Sequence, residues 1–431
     1  MSNSHLFYFI ENFELAYGCR LNWEEISIGY ENDSKIILTK PEWEDPFDHS
    51  SRIIRKQWKG KTIPFLMTSQ ECDSVISEHD NGTVSINMDI VSSAWFLLSG
   101  KQELQRSKKD KYGRFSYFES IQKELNISDI PVVNYYFDIL KEAIQIAYGI
   151  NVTSSRKFSA TITHDIDEIT SGWKHRIRKC LENKQYAKAI SYGIAQVFRP
   201  YFPWKNIKEL ADFNTSNHIP STFFFLPRNN TERQIKNADY EWNNSYVKNT
   251  LRYLAKSEHE VGVHGSYKTH DSEKELNSDL SCFEQKPSSN RFHFLQFDLS
   301  ITPKTLDSVE IKKDSSLGFQ ETIGFRNSVC TPFKLYNFET EKSFDCIEVP
   351  LNIMDCSLEF SNYMNLEPIE AFERIKNLVS EIKQFNGNVC VNWHNTYFSD
   401  YQKGNWKELY TKTTEFLISE NCKFYTIEEL K

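Results

Sequence analysis

The chain has no apolar run approaching the length of a membrane-spanning helix, so no transmembrane segment is predicted. Its start, Met1-Ser-Asn-Ser-His-Leu-Phe-Tyr-Phe-Ile10, lacks the basic stretch and long apolar core of a secretory signal. No Cys-x-x-Cys pair occurs among the nine scattered cysteines. An odd, dispersed set without an export signal reads as reduced, mostly buried thiols, and a cytoplasmic protein is expected. An excess of positive charge is also missing. Lys and Arg number 51 against 59 Asp and Glu, a formal charge of −8. That balance argues against a general nucleic-acid binder, which needs a basic face to displace counterions. One local basic stretch, His175-Arg176-Ile177-Arg178-Lys179, reads as the polar face of a helix.

At 431 residues the chain exceeds one typical domain and suggests two. Residues 1–150 form a first, smaller α/β unit. Its strands are expected at 34–39, 63–67 and 83–88, and its helices at 90–98 and 134–148. No convergent catalytic cluster is visible there, and Asp89, Asp110 and Arg114 read as structural. A polar linker at 151–156 leads into a second unit, 155–431, in which strands and helices alternate. Strands are expected at 221–226, 260–264, 290–297, 346–354, 388–393 and 423–426. Helices are expected at 174–197, 244–257, 368–385 and 406–419. Such alternation over some 270 residues fits a (β/α) barrel, whose active-site groups sit at the C-terminal ends of its strands.

The opening strand of that unit is Ser159-Ala-Thr-Ile-Thr-His-Asp-Ile-Asp-Glu168. On an extended backbone residues two apart point the same way, so Asp165 and Asp167 project together. Alone, an Asp-x-Asp is also what a solvated turn provides. Here, however, His264 and His394 end two further strands, and barrel closure would gather all four groups. A carboxylate with two imidazoles suits zinc or a similar divalent ion, leaving positions open for water and substrate. A second carboxylate suits a general base, another histidine a general acid, and an arginine keeps the base ionised.

The motif series Thr163-His-Asp-Ile-Asp167, Gly262-Val-His-Gly-Ser-Tyr267, Arg291-Phe-His293, Gly324-Phe-Arg326 and Asn392-Trp-His-Asn395 resembles the polysaccharide deacetylases, carbohydrate esterase family 4 of the nodulation-deacetylase type. More closely, the chain is similar to a bacterial surface-polysaccharide branch with an extra N-terminal domain, through Ile86-Asn-Met-Asp-Ile-Val-Ser-Ser-Ala-Trp-Phe-Leu-Leu-Ser99 and Asp110-Lys-Tyr-Gly-Arg-Phe115. The resemblance implies a distorted, incomplete (β/α) barrel after the smaller α/β domain. It implies metal-dependent removal of an acyl group, acetyl above all, from an N- or O-acetylated sugar, with Zn2+ as the expected ion. Carried over by position, Asp165 matches the general base, Asp167 and His264 metal ligands, and His394 the general acid. Arg291 matches the arginine that orients the base, with Arg326 as a second candidate.

Two departures stand out. Ile166 separates the aspartates of the first motif, and Lys268 stands where a second histidine usually follows His264. The third ligand is then His293 or His270. His270 lies six residues after His264, whereas ligands on one helical face need a spacing of three or four. His293, two residues from Arg291 on an expected strand, points to the same side as that arginine and is favoured. Two other functions share this pattern: hydrolysis of a different non-peptide amide, and glycan binding without catalysis on the same barrel.

Overall fold

The computed structural model describes residues 3–106, 108–198, 200–232, 234–399 and 405–431. The chain opens with helix α1 (Asn3–Tyr17), strands β1 (Ile28–Gly29) and β2 (Ile36–Leu38), and the hairpin β3 (Ile54–Trp58) and β4 (Lys61–Phe65). Then come β5 (Ile76–Glu78), β6 (Val84–Ile86), α2 (Val91–Leu98), the short helices α3 (Gln102–Gln105) and α4 (Ile121–Glu124), and α5 (Val132–Tyr148). A four-stranded sheet runs β1-β2-β6-β5, with only β5 antiparallel to its neighbour. Helix α5 forms where apolar side chains recur at helical spacing, burying Ile139, Leu140, Ala143 and Ile144. It stops at Gly149, whose left-handed φ of 68° suits a residue without Cβ.

The second unit supplies β7 (Ser159–Ile166), α6 (Gly172–Glu182), α7 (Tyr186–Phe198), α8 (Ile207–Ser216), β8 (Ser221–Phe225), β9 (Thr231–Glu232) and β10 (Ile235–Lys236). There follow α9 (Ser245–Leu254), β11 (Glu260–Gly265), α10 (Glu273–Leu280), β12 (Ser289–Phe292), α11 (Thr302–Ser308) and β13 (Lys313–Asp314). The chain ends through β14 (Phe333–Asn337), β15 (Lys342–Glu348), β16 (Ile353–Met354), α12 (Asp355–Glu359), α13 (Pro368–Lys383), β17 (Asn388–Asn392), α14 (Trp406–Ser419) and β18 (Lys423–Phe424). One sheet runs β14-β15-β13-β12-β11-β8-β7-β17-β16, with β18 also on β7. Every pairing in it is parallel except β14 with β15. Among the described residues nothing pairs β14 to β16, so this is a distorted, incomplete (β/α) barrel preceded by a smaller α/β region.

Three expected elements differ. The helix expected at 174–197 is a hairpin of α6 and α7, broken at Lys184, which takes a left-handed φ of 57°. The strand expected at 346–354 is two, β15 and β16, separated where Pro350 removes a ladder donor. The strand expected at 290–297 ends at Phe292, and the chain turns through His293–Leu295 with Phe294 at a φ of 61°.

The two regions share a core. Phe9, Phe13 and Phe137 belong to the same buried cluster as Phe292, Phe333 and Cys346 of the barrel. Glu103 of α3 forms a buried ion pair with Arg326 at 2.8 Å. Phe325 N donates to the carbonyl of Ser128 at 2.7 Å. Gly324, at a φ of 132°, permits that approach, since a Cβ there would collide with the same carbonyl.

Candidate metal centre and catalytic cleft

Parallel strands put their C-terminal ends on one rim, and the register fixes which side chains meet there. In β7 alternation splits neighbours: His164 turns outward into the protein, and Asp165 turns into the barrel. His164 Nδ1 donates to the Trp393 carbonyl at 2.7 Å, Nε2 meets Asn214 Nδ2 at 3.0 Å, and burial pushes its pKa down to about 3. It is a neutral structural histidine.

Asp165 is held on both oxygens. Arg291 Nη1 donates to Oδ1 at 3.0 Å and Asn392 Nδ2 to Oδ2 at 2.8 Å. Arg291 is itself fixed, donating to Thr163 Oγ1 at 2.6 Å, the Ser315 carbonyl at 2.7 Å and Ser315 Oγ at 2.8 Å. Burial alone would raise the Asp165 carboxyl, but the Arg291 guanidinium and the imidazoles of His264 and His394 hold it below the usual carboxylate range. Arg326, the second arginine considered for this task, does not reach it. That guanidinium pairs with Glu103 and the Gly318 carbonyl instead.

Asp167, His264 and His293 form a cluster whose ligand atoms all lie within 4.8 Å of one another. His264 Nδ1 is 2.7 Å from the Arg291 carbonyl, which only accepts, so Nδ1 carries hydrogen and Nε2 is the nitrogen left for a ligand once deprotonated. That nitrogen lies 3.2 Å from Asp167 Oδ1. His293 Nδ1 likewise meets Asn237 Oδ1 at 3.4 Å, leaving Nε2 aimed at Asp167 Oδ2, 3.8 Å away. Burial lowers the His293 pKa to about 4, which keeps that ring neutral. Asp167 Oδ1 has no hydrogen-bond partner. Three electron-pair donors converging on one point suit a cation. The separations bracket the roughly 3.4 Å tetrahedral edge that bonds of about 2.1 Å would give. The donor set therefore fits a divalent ion. His270 stands apart, against the Phe292 ring at 6.2 Å, outside the cluster. His293 reaches the cluster from the turn after β12, not from the strand.

His394 follows β17 and faces the same space, with Nε2 3.7 Å from Asp167 Oδ2. Its other side is anchored. Nδ1 donates to Asp355 Oδ1 at 2.8 Å and its backbone N–H to Asp355 Oδ2 at 2.6 Å. Burial opposes the charged ring, but Asp355 outweighs it and raises the His394 pKa well above the ordinary histidine value. Cys356 Sγ lies 3.7 Å from Nδ1.

The sequence reading names no role for Asp355, Asn392 or Thr163. Asp355 carries a signal as another acidic residue at a strand end, and Thr163 and Asn392 open two of the quoted motifs. The same reading treats Arg114 as structural. Its guanidinium is paired with Asp110 at 2.6 Å and donates to the Phe294 carbonyl at 2.9 Å, yet it also lines the cleft with Tyr112. Tyr112 stacks on Phe294 at 4.5 Å. The N-terminal region thus builds one wall of the cleft. Met354, Phe360 and Tyr397 also line the cleft, whose cavity is about 250 Å3. That is below the range that encloses a drug-sized ligand, so a larger substrate presents one group to it.

The cluster of Asp167, His264 and His293 and the arginine-clamped Asp165 are features of this chain's own residues. A family model described as a family of unknown function, DUF7033, matches residues 9–149. No curated protein matches the chain. Among solved structures, Puue allantoinase aligns at 11% identity over 64% of this chain and 89% of its own, with a TM-score of 0.41. The polysaccharide deacetylase Bc1974 from Bacillus cereus aligns at 12% identity over 63% of this chain and 93% of its own, with a TM-score of 0.31. A CE4 family pseudoenzyme from Bacillus anthracis aligns at 12% identity over 64% of this chain and 65% of its own, with a TM-score of 0.32.

Proposed function

We propose that this protein is a metal-dependent hydrolase that removes an acyl group, acetyl above all, from an N- or O-acetylated sugar in surface-polysaccharide metabolism. The observation that carries the reading is the convergence of Asp167, His264 and His293 beside an arginine-clamped Asp165 and an aspartate-backed His394. Residues 155–431 bear this set and residues 1–150 a wall of its cleft, which is the domain division we propose. A divalent ion held by Asp167, His264 and His293, most simply Zn2+, supplies Lewis acidity toward water and the acyl carbonyl.

The remaining chemistry belongs to side chains. Asp165 takes a proton from the attacking water, and Arg291 keeps that carboxylate ionised until then. The water oxygen bonds to the acyl carbon, giving a tetrahedral adduct. His394, kept protonated by Asp355, gives its proton to the departing nitrogen or oxygen as the bond to the acyl carbon breaks. The products are the free sugar amine or alcohol and the carboxylic acid.

The test is acetate release from a panel of acetylated saccharides, with and without added zinc. Chelation should abolish release, and zinc should restore it. Asp165→Asn should cut turnover by about 10²–10⁴-fold with metal content retained, whereas Asp167→Asn should lose metal. Full activity in exhaustively metal-free protein, or exchanged phenotypes for the two aspartates, would overturn the assignment.

A further inference from the structure

Immediately beyond β7, the hairpin of α6 and α7 leaves the body of the protein with almost no core of its own. Ala189 is the one buried side chain of α7 among its described residues. Ile190, Ile194, Val197 and Phe198 are 64%, 55%, 77% and 79% exposed and fall on one stripe of the helix. Of the fourteen exposed large hydrophobic side chains among the described residues, seven lie from Leu181 to Tyr201. Scattered exposed apolar residues are ordinary, but a contiguous set marks an interaction face.

Charge indicates what that face meets. Between Gly172 and Tyr201 stand seven lysines and arginines and one acidic residue, Glu182, a local balance of +6 in a chain whose formal charge is −8. Lys174, Arg178, Lys184 and Lys188 are exposed on α6, the turn and α7. Arg176 lies over the Tyr192 ring at 3.5 Å and ties the two helices together. An apolar stripe on a hairpin rich in exposed cations is the composition of a segment that lies in a bilayer interface. A second copy of the chain is a poorer partner, because a self-complementary contact would bring two such cationic patches together.

The hairpin is rooted at the cleft. Asn395, which lines the cavity, donates to the Glu168 carbonyl at 2.9 Å before α6 and to the Trp204 carbonyl at 3.0 Å after α7. Gly172 at the foot of α6 packs so closely on Trp204 that a Cβ would meet its ring at 2.9 Å. We propose that this hairpin docks on an anionic membrane surface, embedding the α7 stripe among the acyl chains and setting its cations against lipid headgroups. The cleft then opens beside the bilayer. No helix of the described residues is long and apolar enough to cross a membrane, so the contact is interfacial.

The experiment is co-sedimentation of the full chain with vesicles of phosphatidylcholine, alone or mixed with phosphatidylglycerol, at low and high salt. Binding should require phosphatidylglycerol and fall with salt. Ile194→Glu/Phe198→Glu and Lys184→Glu/Lys188→Glu should each weaken it at least about tenfold. All four positions are exposed, so thermal melting should match the unaltered chain. Asp167→Asn should bind vesicles normally, which separates this proposal from the catalytic one. No binding to either vesicle, equal binding to both, or unaltered binding by the two double variants would overturn it. So would a concentration-dependent dimer abolished by Ile194→Glu/Phe198→Glu without vesicle binding, since the stripe would then be a self-association face.

Discussion

Two aspartates separated by one residue are given different surroundings. Asp165 is saturated by Arg291 and Asn392, while Asp167 meets only imidazoles. Saturation suits a base that must stay in one place, and the open set suits a ligand. The competing third ligands can be separated at the same scale. His293→Ala removes a donor from the cluster and should weaken zinc affinity by about 10–100-fold or more, whereas His270→Ala should leave a zinc titration nearly unchanged. The reverse result would move the centre toward the β11–α10 loop. A third acid, Asp89, sits at the start of α2 with Oδ1 accepting from Ser92 N at 3.0 Å and Oδ2 without a partner. Burial raises its pKa to about 7. A carboxyl whose folded pKa exceeds its unfolded value favours the fold fully only below the unfolded value. That contribution is lost as pH rises from about 4 to about 7. Asp89→Asn cannot ionise, so its stability relative to the unaltered chain should rise across that window. Denaturant midpoints at pH 4.5 and pH 8 that differ equally for both proteins would contradict this.

At the scale of elements, the site is a set of strand ends, and each gains its meaning from the next. β16 delivers Asp355 to the ring that β17 delivers, because Ile353 and Met354 pair with Val391 and Asn392. Asp355→Asn should keep the fold but withdraw the charge that raises the His394 pKa. Turnover of an amide should fall by about 10²–10³-fold, and the alkaline limb of its pH profile should shift downward. An activated ester, whose leaving group needs little proton, should lose much less. Equal losses on both substrates would reduce His394 to a binding role. This layout also explains what could be read in advance. Period-two alternation and the rule of strand ends pointed to Asp165, Asp167, His264 and His394, because both are local properties. The Asn392 and Thr163 contacts depend on which strands adjoin, and pairing is not written in either strand alone. The alternation that puts His293 on the side of Arg291 stops one residue earlier, at Phe292, and His293 reaches the cluster from the turn. The break at Lys184 falls in Glu182-Asn-Lys-Gln185, a polar stretch without the Gly or Pro that most strongly marks a turn.

Over the whole molecule, the boundary expected near residue 150 is a boundary of sheets and not of cores. Phe137 and Phe292 lie in one buried cluster, and the N-terminal region also supplies Tyr112 and Arg114 to the cleft. The contact that tests this most sharply is Glu103 with Arg326, whose side chains are 7% and 2% exposed. Removing one partner leaves the other charge buried without compensation, which costs about 3–5 kcal/mol. Glu103→Ala should therefore lower the urea midpoint of the entire chain. Tryptophan fluorescence, with Trp23, Trp43, Trp58 and Trp95 before the boundary and Trp173, Trp204, Trp242, Trp393 and Trp406 after it, should move together with far-ultraviolet circular dichroism. Replacing both partners, as in Glu103→Leu/Arg326→Met, should recover much of the loss, since an apolar pair of similar bulk leaves no charge stranded. Two separate transitions, with only the N-terminal one shifted by Glu103→Ala, would show that the halves fold independently. In that case the wall built by Tyr112 and Arg114 would be an attachment to the barrel and not part of its fold.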